Sequence, residues 1–216
     1  MRRYPTRPLL PDPDGLESGF FAADICDESN TADTGQYTTY DLTTGGTFAI
    51  GSGVATVTTD AGGAVRYCKT GNDLSSGKFL SLATVTAKTQ VGAYFNCGVG
   101  LVLDGTHYLL ADYDDVADNV RVGYDIGAGF VALGGITRSL TIPYQLALCS
   151  DGGTRVQIWT KTSGGVWLFA TSADISTPFP WGSMTWTGWK AGFGCASPNS
   201  GASWSFDNLK ASTRFR

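Results

Sequence analysis

With 216 residues, a formal charge of −4 and a 42% hydrophobic share, the chain is long and apolar enough for one large domain with a packed core. Its 29 glycines, abundant Thr and Ser and only two glutamates, Glu17 and Glu28, speak against a helical protein, because Gly loses most backbone entropy in a helix and Thr is stiff there. The acidic balance, with no basic stripe interleaved with aromatics, excludes a nucleic-acid-binding body, and no apolar run is long enough to span a bilayer.

The first sixteen residues, "MRRYPTRPLLPDPDGL", carry Arg2, Arg3, Tyr4 and Arg7 among Pro5, Pro8, Pro11 and Pro13. Proline fixes φ and removes backbone donors, so residues 1–16 read as an extended N-terminal docking arm, with those four residues as its contact points. The prolines also interrupt any secretory leader, so the expectation is synthesis and retention in a cytoplasm until assembly or release. Residues 17–216 show no linker and read as one domain.

From "SGFFAAD" onward, short strands alternate with turn signals. Strands are predicted over Gly19 to Asp24, Thr47 to Ile50, Val54 to Thr59, Ala64 to Lys69, Lys78 to Lys88, Val91 to Leu103, His107 to Tyr113 and Asn119 to Asp125. They continue over Gly129 to Leu133, Tyr144 to Ser150, Arg155 to Lys161, Val166 to Ala170, Lys190 to Ala196 and Ser203 to Ala211. Asp104-Gly105, Asp151-Gly152 and Gly164-Gly165 sit at hairpin spacing, which makes sequence neighbours antiparallel neighbours. Many short antiparallel strands bury one face each as two packed sheets. The last of them, "SWSFDNLKAS", alternates so that Trp204, Phe206, Asn208 and Lys210 share one face.

Chemistry-bearing residues are sparse. A glycosidase needs two carboxyls at a set separation, and neither glutamate belongs to a paired pattern. His107 is the single histidine, at the start of a strand beside a turn, and no G-x-S-x-G elbow accompanies it. The glycine-rich pieces open no helix and contain no G-K-[ST], so hairpin geometry accounts for them. Cys26, Cys68, Cys97, Cys149 and Cys195 are odd in number and form no C-x-x-C pair, which points to burial as small hydrophobes. The best acid cluster is "ADYDDVADN". There Asp112 and Asp114 share a strand face with Asp118 beyond the turn, a set that would hold calcium or else form a solvated hairpin. Trp181, Trp186 and Trp189 in "PFPWGSMTWTGW" would either stack on sugar rings or partner surfaces, or plug one end of the sandwich.

In order, the segments "GFFAADICDESNTADTG", "TFAIGSGVATVTTDAGGAVRY", "LVLDGTHYLLADYD", "GGTRVQIWTKTSGGVWLFA" and "KAGFGCASPNSGASWSFDNLKAS" resemble the concanavalin A-like (LamG-like) jelly-roll domains of bacteriophage minor tail proteins, over residues 18–212. The resemblance implies an all-β, two-sheet antiparallel sandwich whose last strand lies beside "SGFFAAD" and closes the sheet. It also implies a non-enzymatic structural virion protein, homo-oligomeric within the assembly, that binds neighbouring subunits and host-surface polysaccharide. A stand-alone carbohydrate-binding module or lectin is the alternative, and a glycan-cleaving enzyme the weaker third. No resident cofactor other than calcium is expected.

Overall fold

The computed structural model describes residues 38–41, 47–51, 53–59, 64–73, 78–91, 96–104, 107–152, 154–176, 188–197 and 200–212. The arm of residues 1–16 and the expected strand Gly19 to Asp24 lie outside the described residues. The strands are β1 (Thr38–Asp41), β2 (Thr47–Gly51), β3 (Val54–Thr58), β4 (Ala64–Asp73), β5 (Lys78–Thr89), β6 (Asn96–Asp104) and β7 (His107–Asp114). They continue with β8 (Asn119–Ile126), β9 (Val131–Thr137), β10 (Tyr144–Asp151), β11 (Arg155–Thr162), β12 (Leu168–Asp174), β13 (Lys190–Ser197) and β14 (Ser203–Ser212). No helix occurs among the described residues. β1 was not anticipated: its "TTYD" is too short to show alternation and is defined by its partner, β4.

Among the described residues two seven-stranded antiparallel sheets result, with orders β1-β4-β13-β6-β7-β8-β9 and β12-β11-β10-β5-β14-β3-β2. Each contains a meander of consecutive strands, β6 to β9 in the first and β10 to β12 in the second; the β10–β11 and β11–β12 turns fall at the expected Asp151-Gly152 and Gly164-Gly165, and the β7–β8 and β8–β9 turns at sites not expected. Gly152 and Gly164 take φ of 93° and 69° in two of those turns, a region closed to most L-residues. Alternation delivers one face of each strand to the shared core. Val99 and Leu101 of β6, Leu109, Ala111 and Tyr113 of β7, and Leu146 and Leu148 of β10 meet there. Phe193 of β13 stacks on Phe206 of β14 at 4.4 Å, joining the two sheets.

Among the described strands β14 lies between β5 and β3, pairing with β3 over Ser203 to Phe206, while its expected neighbour "SGFFAAD" lies outside the described residues. β14 departs from the expected pattern in one respect, a break in its alternation. The pairing with β5 shifts between Asp207 and Lys210, Asn208 takes φ of 53°, and the Asn208 backbone N–H donates to Asp207 Oδ1 at 2.7 Å. This irregularity changes the phase of the strand, so Leu209 joins Trp204 and Phe206 in the core and Asn208 does not. Asn tolerates the left-handed region and β-branched residues do not. Asn208→Val is therefore expected to lower stability by about 1–2 kcal/mol, with Asn208→Gly near neutral, as read by thermal unfolding.

One side of the sandwich is drawn shut where the terminal strands β9 and β12 run side by side. Arg138, just past β9, donates to Thr160 Oγ1 at 2.8 Å and to the carbonyls of Leu168 and Phe169 at 3.5 and 3.3 Å. Those bonds occupy part of the β12 edge that would otherwise invite another strand.

Candidate functional site

The acid-rich hairpin between β7 and β8 does not assemble the expected calcium set. Asp112 and Asp114 do share an outward face, but Arg121 of β8 stands between them, donating from Nε to Asp112 Oδ2 at 2.7 Å and from Nη1 to Asp114 Oδ2 at 3.3 Å. Asp118 belongs to the opposite side of the hairpin, where its Oδ1 accepts the Tyr113 hydroxyl at 2.8 Å. Tyr113 points inward because it alternates with Asp112 and Asp114, and the turn returns Asp118 to that inner side. A guanidinium thus fills the place an ion would need. Among the described residues no three His, Cys, Asp or Glu side chains are placed to hold a metal.

Burial pushes Asp112 up to about 6 from 3.8, even though Arg121 opposes the shift; loss of water outweighs the ion pair, and the charges of Asp114 and Asp115 push the same way. Its folded pKa therefore lies above its unfolded value. The folded state binds this proton more tightly, so the group's contribution to stability is greatest below the unfolded value and is lost as pH rises through 6. The span is worth about 3 kcal/mol. Urea midpoints at about pH 4.5 and 7.5 are expected to separate for the wild type in that sense, and to converge in Asp112→Asn, which keeps an acceptor for Arg121 without the charge.

The single histidine serves the β6–β7 hairpin: its Nδ1 lies 2.9 Å from Asp104 Oδ1, with both side chains near the surface. Cys97, Cys149 and Cys195 are buried free thiols, and burial raises the pKa of Cys97 and Cys149, which makes them poor nucleophiles. Of the three expected tryptophans, Trp189 is 3% exposed and packs in the core between the sheets, so it serves packing and offers no platform for a ligand. Trp181, Trp186 and the arm residues Arg2, Arg3, Tyr4 and Arg7 lie outside the described residues.

A different set of aromatics occupies the outer face of the second sheet. Leu80 and Leu82 of β5, Ala147 and Cys149 of β10 and Trp159 of β11 point away from the core, and Trp167 from the β11–β12 connection packs with them as a separate cluster. Phe169 meets Trp159 edge to face at 5.6 Å and is 43% exposed, with Leu168 and Val166 also exposed beside it. Next to this cluster, register places Thr84, Gln145 and Lys161 in one row across β5, β10 and β11. They line a cleft of about 230 Å³ together with Pro143, Thr162, Ser163 and Gly164. Gln145 Nε2 donates to Thr84 Oγ1 at 3.0 Å, which fixes the amide, and Lys161 Nζ lies 5.8 Å from the Trp167 ring. Sequence reasoning passed over this site. The signal was in "RVQIWTKT", where Trp159 interrupts the polar phase of an alternating strand between Gln157 and Lys161.

The outer face of the first sheet is built otherwise. Gly98 and Gly100 of β6 stand opposite Gly194 and Gly192 of β13, but Leu110 folds over this strip and packs with Val102 and Tyr108. Phe130 covers Gly123 and lies 5.6 Å from the Arg121 guanidinium, so the ion-paired cluster there is already lidded.

No protein-family model and no curated protein matches the chain. Solved structures do match. The carbohydrate binding module CBM66 from Bacillus subtilis superposes with a TM-score of 0.58 at 16% identity, over 82% of this chain and 94% of that one. The exoplasmic/lumenal domain of VIP36, in a Ca2+/Man3GlcNAc-bound form, gives 0.59 at 12% identity over 84% of this chain and 85% of that one. The metal-free carbohydrate recognition domain of Emp46p gives 0.55 at 8% identity over 90% and 96%. The chain has a concanavalin A-like jelly-roll fold. At these identities the likeness establishes architecture alone, and function rests on the site.

Proposed function

We propose that the protein is a non-catalytic carbohydrate-binding β-sandwich that holds glycan on the outer face of its second sheet. The observation that carries this reading is the cleft of Thr84, Gln145, Lys161 and Ser163 near the exposed Phe169 ring, which packs on the buried Trp159–Trp167 cluster. Hydroxyl, amide and ammonium groups match the alternating donors and acceptors of sugar hydroxyls, and an aromatic face takes the apolar face of a sugar ring. The cleft is smaller than a typical drug-sized pocket of roughly 300–1,000 Å³, which suits a single sugar ring.

The acids of the β7–β8 hairpin are engaged with Arg121, Lys88 and Tyr113, which supports binding over cleavage. The similar structures named above are carbohydrate-binding domains, in agreement with this reading. The finer assignment, a phage tail or particle-surface component with a docking arm at residues 1–16, rests on the sequence resemblance. Locating the protein in purified particles, with and without those residues, tests it; full incorporation without them sinks the arm.

A glycan array with the wild type and Phe169→Ala tests the main reading. Because Phe169 is partly exposed, the variant is expected to remain folded and to bind about tenfold more weakly. Equal binding by both proteins would move the site elsewhere on the molecule.

A further inference from the structure

Lys88 faces inward where the period of its strand would turn it out. Val85 of β5 is buried in the core, so strict alternation would give residue 87 to the core and residue 88 to solvent. The pairing with β14 shifts between Ser205 and Phe206, which leaves Thr86 as an extra residue between Val85 and Ala87 and sets Lys88 opposite the buried Trp204. Ala87 is exposed and Lys88 half-buried as a result. The Lys88 ammonium meets Oδ1 of Asp115, the residue that follows β7, whose side chain is 0% exposed. The other oxygen of that carboxyl, Oδ2, is enclosed with no hydrogen-bond partner among the described residues.

A buried pair of this kind gains little from charge attraction alone. Both groups lose water, and attraction in a dry interior offsets that loss only where the remaining lone pairs are also satisfied. The surroundings favour the neutral forms: burial raises the Asp115 pKa in spite of Lys88, and the charge of Asp118 pushes the same way. Asp118 returns to the inner side of the hairpin, where its Oδ1 accepts the Tyr113 hydroxyl at 2.8 Å. Amine and carboxyl are thus in contact, in a medium that favours proton transfer between them, with a second carboxyl in electrostatic reach. Those are the conditions for amide formation.

We infer that Lys88 and Asp115 condense to an amide that joins the two sheets covalently, with Asp118 as the proton relay. Lys88 Nζ gives a proton to the Asp115 carboxylate, and the neutral amine attacks Cγ. A C–N bond forms, one C–O bond of the carboxyl breaks, and that oxygen leaves as water with the proton that Asp118 carries from the nitrogen. No atom is oxidised or reduced, and no co-reactant is consumed. The product replaces two opposed charges in the interior by one neutral amide between β5 and the β7–β8 turn. The ion pair is the reactant, so freshly made chain carries it and the linked fraction grows with time.

The test is the mass of the full chain after denaturation, followed by peptide mapping, for the wild type, Lys88→Arg and Asp118→Asn. Arginine keeps the cation but stays protonated and does not attack. Asparagine tolerates the φ of 49° at position 118. Wild type held for days at neutral pH is expected to become lighter by one water and to yield a branched peptide joining Lys88 to Asp115. Lys88→Arg is expected to stay at full mass, and Asp118→Asn to link about a hundredfold more slowly. A wild type that remains at full mass overturns the inference. Loss of water without the branched peptide also overturns it, because Asp104-Gly105 and Asp151-Gly152 would each lose one by closing to a succinimide. Equal rates in the wild type and Asp118→Asn overturn the relay.

Discussion

Asp115→Ala is expected to cost the folded protein about 3 kcal/mol, the low end of the range for breaking a buried ion pair. Asp115 opens the turn after β7, and its side chain, 0% exposed, folds back to bond the Lys88 ammonium of β5, which is 26% exposed. The Lys88 ammonium also lies 5.9 Å from the Tyr113 ring. One turn residue of the first sheet is thus tied to a strand of the second. Burial still leaves the Asp115 pKa raised, with Lys88 opposing the shift. Removing the acid strands a partly buried cation. Removing the cation instead, in Lys88→Met, encloses a carboxylate with less to compensate it and raises its folded pKa further above the unfolded value. That variant's loss should grow as pH rises and shrink as the acid protonates, so urea midpoints at about pH 5 and pH 8 separate the two cases. Lys88→Met with Asp115→Leu should recover most of the loss, because apolar packing often replaces a buried pair at little cost. A pH-independent Lys88→Met, or a neutral Asp115→Ala, would show that the turn does not hold the sheets together.

Phe206→Ala is the second large effect, about 4 kcal/mol from a ring that is fully enclosed. Phe206 stacks on Phe193 across the sheet interface, and its strand pairs with β5 on one side and β3 on the other. The cavity would open where the sheets meet and inside a non-local strand pairing, where surrounding groups are least free to collapse. Against a typical total of 5–15 kcal/mol, the variant should be marginal at room temperature. Phe206→Leu, which fills more of the volume, should lose under half as much. Equilibrium urea unfolding at one pH gives both numbers, and equal losses for Ala and Leu would contradict a cavity origin.

Both effects sit on features of unequal legibility. That "SWSFDNLKAS" is a strand with Trp204 and Phe206 on one face follows from its period of two. Its place between β5 and β3 does not, because pairing across more than a hundred residues leaves no local trace. The phase change at Asn208 is also hidden, since Asn reads as an ordinary polar position until its φ is known. In "ADYDDVADN" the sharing of one face by Asp112 and Asp114 is visible in the spacing. Their capture by Arg121 depends on the register of β7 against β8, and the inward fold of Asp115 on the meeting of two sheets. Trp189 illustrates the same limit: a tryptophan among Pro and Gly reads either as a loop platform or as a plug, and only its packing between the sheets decides for the core. Trp159, unremarked in the strand, becomes the floor of an outer face.

The sequence by itself determined the class of the protein, most of its strands and their hairpin turns, because alternation and turn chemistry act over a few residues. The tertiary structure alone decided which strands are neighbours, which acids are already paired and where a polar cleft opens near an aromatic cluster, because those depend on contacts between segments far apart in the chain.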